Sequence, residues 1–291
     1  MKKVITALAL TAITFSGFAQ QDDSSSKSNI QTYTPSKLLK KGQWDIKWFN
    51  NLYTQTAAAN ADGDITRNLD RENFFTTSFD IFTGISENNS INVGLLFDIR
   101  SNTTRGDRSA FDVFQFDQDD TSARSGFTSI APVIKFNPIS SVSNFTVQTA
   151  LHIPLIGEES NANNIFLDQT ALTFQNRFFY DYTFTGDQWQ IFGEINTEYN
   201  FGEEESFANK TFSVAPGAFL SYFPSSETTV LGFIQHFHRF GDFEQDFSAV
   251  GLGAKYQLNK ILNLEAIYSR FVRGNDTGIG QSFNLGLRAL F

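Results

Sequence analysis

From Gly42 onward the chain alternates apolar and polar residues at a period of two, and no stretch beyond its N-terminal end keeps a convincing 3.6-residue period. The clearest case is residues 90–100, SINVGLLFDIR, where Ile91, Val93, Leu95, Phe97 and Ile99 share one face and Asn92, Asp98 and Arg100 the other. The C-terminus repeats the pattern: Phe283, Leu285, Leu287, Ala289 and Phe291 alternate with Asn284, Gly286 and Arg288. Elsewhere Trp44, Ile46 and Trp48, then Phe75, Phe79 and Ile81, mark the apolar faces of two segments over residues 42–55 and 73–85. Trp189, Ile191, Ile195 and Tyr199 mark that of a later one. Segments near 126–137 and 228–240 are apolar on both faces, so their orientation is not fixed by pattern alone. About twelve strands result.

The connections sort the architecture. Those near residues 56–72, 101–125, 156–164, 202–210, 241–246 and 273–278 are polar and mostly longer; those between are SENN, NPISSVS, Gly186-Asp187, PSSE and NKI. An even number of strands of about ten residues, with short turns at one end and longer loops at the other, is the pattern of a transmembrane barrel. Soluble sandwich strands average only about five or six residues. The predicted fold class is therefore all-β, a transmembrane antiparallel up-and-down β-barrel. Its apolar face meets lipid, with Leu95 and Leu252 near mid-strand, and its polar face, with Asn92 and Ser248, meets the lumen. Pro132 and Pro216 fall inside two strands, where a missing N–H predicts bulges; Pro154 falls at the outer rim.

Composition adds a destination. The run VITALALTAITF follows Lys2 and Lys3 and precedes Gly17-Phe18-Ala19, the layout of a secretory signal over residues 1–19. Residues 20–41, Ser-rich and broken by Pro35, read as a short exposed periplasmic linker, and 42–291 as the barrel. The chain has 33 Phe, 8 Tyr and 3 Trp, no Cys, and a mean hydropathy of -0.23. It is aromatic without the long apolar runs of a helical membrane protein. Export without cysteine brings neither disulfides nor a lipid anchor. Of 22 basic residues, loss of Lys2 and Lys3 leaves 20 against 31 acidic, a charge of about -11 that argues against nucleic acid as a partner.

Pairing then places charges. A reversal at Gly186-Asp187 sets Phe184 opposite Trp189, Tyr182 opposite Ile191, Phe178 opposite Ile195 and, on the polar face, Arg177 opposite Asn196, with Glu194 and Glu198 as diagonal neighbours. Around NKI, Leu258 meets Leu262, Tyr256 meets Leu264 and Lys255 meets Glu265. These charges are either ordinary solvated cross-strand pairs or a constriction that filters solutes. Phe179, Phe192, Phe219 and Phe271 are also expected in the lumen, as an apolar path or as filling. His152, His236 and His238 are read as lumen-rim residues; His236 and His238 share a face about 6.5 Å apart. None stands in a nucleophile arrangement, so no catalytic site, metal or cofactor is expected. The acids of DQDD and GEEES match no calcium loop, and Arg105-Gly106-Asp107 is taken as chance.

Trp44, Tyr182, Trp189, Tyr222 and Tyr256 fall at the strand ends nearest the short turns, positions suited to an aromatic girdle. The terminal Phe291 with Leu287, Leu285 and Phe283 resembles the C-terminal signal read by the outer-membrane barrel-assembly machinery. From GFTSIAPVIKF through TVQTALHIPLIG, VGLGAKYQLNKILNLEAIYSRF and SFNLGLRALF, over about residues 126–291, the chain is similar to the transporter-like barrels of the phenol meta-pathway family. That resemblance implies passage of small, hydrophobic solutes. The expected location is the outer membrane, the partners its lipid, the assembly machinery and a small-molecule solute. The alternative is a filled structural or surface-binding barrel that works through its acidic outer loops.

Overall fold

A period of two forces antiparallel pairing once each strand must bury its backbone groups away from water, and a bilayer leaves no edge unpaired. The computed structural model, which describes residues 34–104, 108–117, 121–202, 208–241 and 243–291, shows the outcome. The strands are β1 (Trp44–Ala59), β2 (Ile65–Gly84), β3 (Ile91–Thr103), β4 (Ala123–Phe136), β5 (Phe145–Pro154), β6 (Thr173–Thr183) and β7 (Trp189–Asn200). They continue as β8 (Thr211–Tyr222), β9 (Thr228–Phe240), β10 (Gln245–Gln257), β11 (Leu262–Asn275), the two-residue β12 (Thr277–Gly278) and β13 (Gln281–Leu290). Each long strand pairs with its sequence neighbour, and β1 pairs with both β2 and β13, which closes a barrel of twelve long strands. Closure reaches the chain end, where Trp44 N donates to Phe291 O at 2.6 Å and Phe291 N to Trp44 O at 3.0 Å.

The faces follow parity. Leu95 and Leu252 point outward and are 41% and 64% exposed to what would be lipid, while Asn92 points inward and is buried. Ser248 is a correction: it shares the parity of Val250 and Leu252 and faces outward with His236 across the strand pair. Trp44, Tyr182, Trp189 and Tyr256 lie exposed at the turn end, as a girdle requires. The register follows the expected pairs, with Tyr182 opposite Ile191, Phe178 opposite Ile195, Arg177 opposite Asn196, Tyr256 opposite Leu264 and Lys255 opposite Glu265. Gly186 and Asp187 both adopt positive φ, 95° and 56°, the backbone such a reversal needs.

Three connections differ from expectation. Residues 56–72 are not a loop: β1 and β2 stay paired through Ala59 and Ile65, and only 60–64 reverse, with Asn60 Oδ1 accepting from the N–H groups of Asp62 and Asp64. Beyond the membrane both faces of a ribbon are wet, so pairing persists while alternation fades. The described part of 101–125 forms a 3₁₀ turn, Ala110–Gln115, capped by Ser109 and lying against the outside of β1–β3. Val113 is buried there between Leu52 and Phe75, and Ser101 Oγ donates to Val113 O at 2.6 Å. The connection after β5 turns into the lumen. The prolines sit without bulges: pairing with the following strand lapses at Pro132 and Pro216, and register resumes unchanged. Each proline keeps its pairing with the preceding strand, because an antiparallel residue directs its N–H to one neighbour only.

The proposed leader and residues 20–33 lie outside the described residues, as do Arg105-Gly106-Asp107, most of DQDD and most of GEEES.

Candidate functional site

Twelve strands enclose a lumen between that of an eight-strand barrel, which side chains fill, and that of a wide porin. What fills or lines it is therefore decided by the inward residues. From mid-strand to the turn side these are charged and matched. Arg177 donates to Glu194 through Nη2 at 2.6 Å and Nε at 2.8 Å. Glu265 accepts from Lys255 at 2.6 Å and from Lys47 at 3.4 Å. Arg288 grips Asp45 with two nitrogens, at 2.7 and 2.6 Å. Asp98 accepts from Ser78 and Ser129. Glu198, expected beside Arg177, instead accepts from Gln175 at 2.8 Å and Asn196 at 3.0 Å. Bidentate and multiply bonded carboxylates of this kind repay the removal of charge from bulk water.

Beside this belt runs a line of aromatic rings. On β6–β9, Phe179, Phe192, Phe219 and Phe233 follow one another at centroid separations of 6.0, 5.4 and 5.1 Å. Nearer the outer mouth, Phe237, Phe247, Phe271, Tyr53 and Phe74 continue at 5.1, 4.1, 4.8 and 6.1 Å. Phe233 and Phe237 share the inner face of β9 with Gln235 between them, about 13 Å apart along the strand, so the two arcs line the wall at separate positions along β9. Gly251 lets the ring of Phe233 lie flat, since a Cβ there would stand 2.3 Å from it. Phe179, at the inner end, has Lys135 Nζ and the Arg177 guanidinium over its ring, each 5.1 Å from the centroid.

Both mouths are narrowed by chain. Residues 34–41, expected as exposed linker, enter the turn-side mouth: Leu39 packs with Phe82, Leu96, Ala131, Val133, Ala150 and Leu290. Its N–H donates to Asn92 Oδ1 at 3.1 Å. Lys135 donates to Pro35 O and Lys37 O, and Lys37 and Thr34 both reach Asp181. At the outer mouth the 155–172 connection folds inward: Ile165 and Leu167 are fully buried, Asp168 meets Arg100 at 2.9 Å, and Asn102 donates to the carbonyls of Phe166 and Leu167. Replacing Lys135 with Met should release the 34–41 segment; larger ion conductance and faster proteolysis within that segment are expected, and unchanged values would mean that Leu39 alone secures it.

The histidines separate. His152 faces inward and lies 3.4 Å from Gln175 Oε1. His236 and His238 face outward, opposite Ser248 and Asp246, which corrects their placement at the lumen rim. The error has a plain cause: Leu231, Phe233 and Phe237 line the lumen while Val230 and Ile234 face lipid, so β9 is apolar on both sides. The two rings are 6.4 Å apart, and no cluster of three candidate metal ligands occurs among the described residues. Missed at the level of sequence were Lys47, Asp45 with Arg288, and Lys135. All have inward parity, the signal that finds them.

Neither a family model nor a curated protein matches the sequence. The fold is similar to the COG4313 outer membrane channel from Pseudomonas putida F1, at a TM-score of 0.68 and 11% identity over 89% of this chain and 99% of that one. It is similar also to the β domain of the Bordetella autotransporter BrkA, at a TM-score of 0.55 and 11% identity over 85% and 99%. At such identity the likeness concerns architecture, and it agrees with the apolar exterior and closed register: the protein is an outer-membrane β-barrel of twelve long strands.

Proposed function

We propose that the barrel is a channel for small solutes that carry an apolar, aromatic part. The observation that carries this reading is the two arcs of rings on the lumen wall, Phe74 to Phe237 and Phe233 to Phe179, beside a belt of matched charges. Stacking on successive rings holds a flat solute at each step by only about 0.5–1.5 kcal/mol beyond its buried area, weak enough to allow transfer to the next. The charges keep that part of the lumen wall polar beside the rings. The similarity of residues 126–291 to the phenol meta-pathway barrels supports the same solute class.

The competing reading, a filled barrel that works through its outer loops, draws on the chain seated in both mouths. The rings separate the two. Phe219→Ala and Phe247→Ala together should lower uptake of a small aromatic acid into proteoliposomes several-fold, with little effect on an aliphatic solute of equal size. Equal loss for both solutes would reduce the rings to filling. The proposed role of Phe283, Leu285, Leu287 and Phe291 in recognition by the assembly machinery rests on their shared parity, the first three facing outward in β13 and Phe291 directly following it.

A further inference from the structure

The outward wall is apolar almost everywhere. Apart from the protruding β1–β2 ribbon, acidic, basic and histidine side chains on the outward face of the described strands occur at His236 and His238 of β9, Asp246 of β10, and Arg270 and Arg273 of β11. Five of them on three adjacent strands are not scattered exceptions. In register, Ser248 lies between His236 and Arg273, Asp246 beside His238, and Val250 between Ile234 and Arg270. Asp246 Oδ2 is 3.7 Å from Arg273 and 4.0 Å from His238, and His236 lies 3.0 Å from Ser248 Oγ. The Arg273 side chain is 62% exposed. Arg270 is exposed as well, with no hydrogen bond or ion pair among the described residues.

Their height matters. Phe174, Tyr199, Phe212 and Phe240 stand opposite one another along the outer ends of β6–β9, all exposed, as an outer aromatic girdle does. Phe240 is two residues beyond His238, so the cluster sits on the lipid side of that girdle. Two guanidiniums against one carboxylate, with two imidazoles beside them, form a net-positive patch directed at lipid, a costly arrangement unless lipid supplies the anion. Below the patch Ile234, Val250 and Leu252 offer exposed apolar surface for acyl chains.

We propose that the outward face of β9–β11 is a binding site for a phosphorylated glycolipid of the outer leaflet. Arg270 and Arg273 would take the phosphate, to whose oxygens a guanidinium fork is matched, and His236 and His238 would donate from the facing strand. Asp246 holds Arg273 and His238 in place at the expense of some anion affinity. The site is separate from the lumen and does not depend on what the lumen carries.

The test is native mass spectrometry of the intact barrel in mild detergent with added bisphosphorylated lipid A. One lipid should remain bound to the wild type. Retention should fall about tenfold or more both for the Arg270→Gln/Arg273→Gln variant and for dephosphorylated lipid A, which is the loss of one or two charge-assisted bonds. Millimolar inorganic phosphate should not displace the lipid. Equal retention of the two lipids, no change in the double variant, or displacement by inorganic phosphate would each overturn the assignment. Folding is checked by heat-dependent migration on SDS gels. If the double variant does not fold, Asp246→Asn serves instead: it removes the one competing negative charge and should raise retention, and unchanged or lower retention would overturn the assignment.

Discussion

Replacing Leu252 with Arg should cost the folded barrel about 2–4 kcal/mol, the penalty of a cation at the bilayer midplane on a barrel wall. Leu252 lies near the middle of β10, points outward and is flanked in register by Gly232 and Tyr268, so no neighbouring carboxylate can receive the guanidinium. Leu95→Arg on β3 should behave alike. Gln235→Arg is the contrast: Gln235 faces the lumen between Phe233 and Phe237, where water and polar side chains are within reach, and its cost should be well below that of either leucine. Urea midpoints for folding into liposomes measure all three. Equal costs on the two faces would contradict the parity on which the whole barrel is built.

Glu265→Gln should be comparably damaging, at about 3 kcal/mol. The glutamate is buried and accepts from Lys255 and Lys47 together, and amide replacement leaves two ammonium groups facing each other with Arg288 nearby. Removing one partner of a buried charge group typically costs about 3–5 kcal/mol, and the partial access of both lysines to the lumen puts this case at the low end. A second change, Lys255→Gln, should return part of the loss, because the charges act as a unit. Additive losses in the pair would mean that the contacts are incidental.

The parts of this architecture legible in sequence are those a bilayer dictates. An outward residue every second position must be apolar, so Leu95, Trp189 and Phe283 declare strand phase, and short turns such as Gly186-Asp187 fix register for Arg177 and Asn196. Where the lumen is itself aromatic the rule loses its force, as β9 shows: Phe233 and Phe237 inside made His236 and His238 look like lumen residues. The Asp45–Arg288 pair spans 243 residues and exists only because β1 meets β13, so local patterning could not disclose it. Nor could it disclose where loops go. Ile165 and Leu167 follow the connection read at 156–164, yet the chain folds them into the outer mouth, where their burial narrows it; Leu39 does the same from the other side. Conversely, residues 56–72 read as loop because a wet ribbon keeps its hydrogen bonds without keeping alternation.

The proposal that solutes pass through this lumen is tested most directly by time-resolved entry of a small radiolabelled aromatic acid into liposomes that contain the intact wild-type barrel. Entry should exceed that into protein-free liposomes, saturate with concentration, and fall when Phe219 and Phe247 are both replaced by Ala. Entry no faster than into protein-free liposomes, with the barrel shown to be folded by its heat-dependent migration, would contradict it.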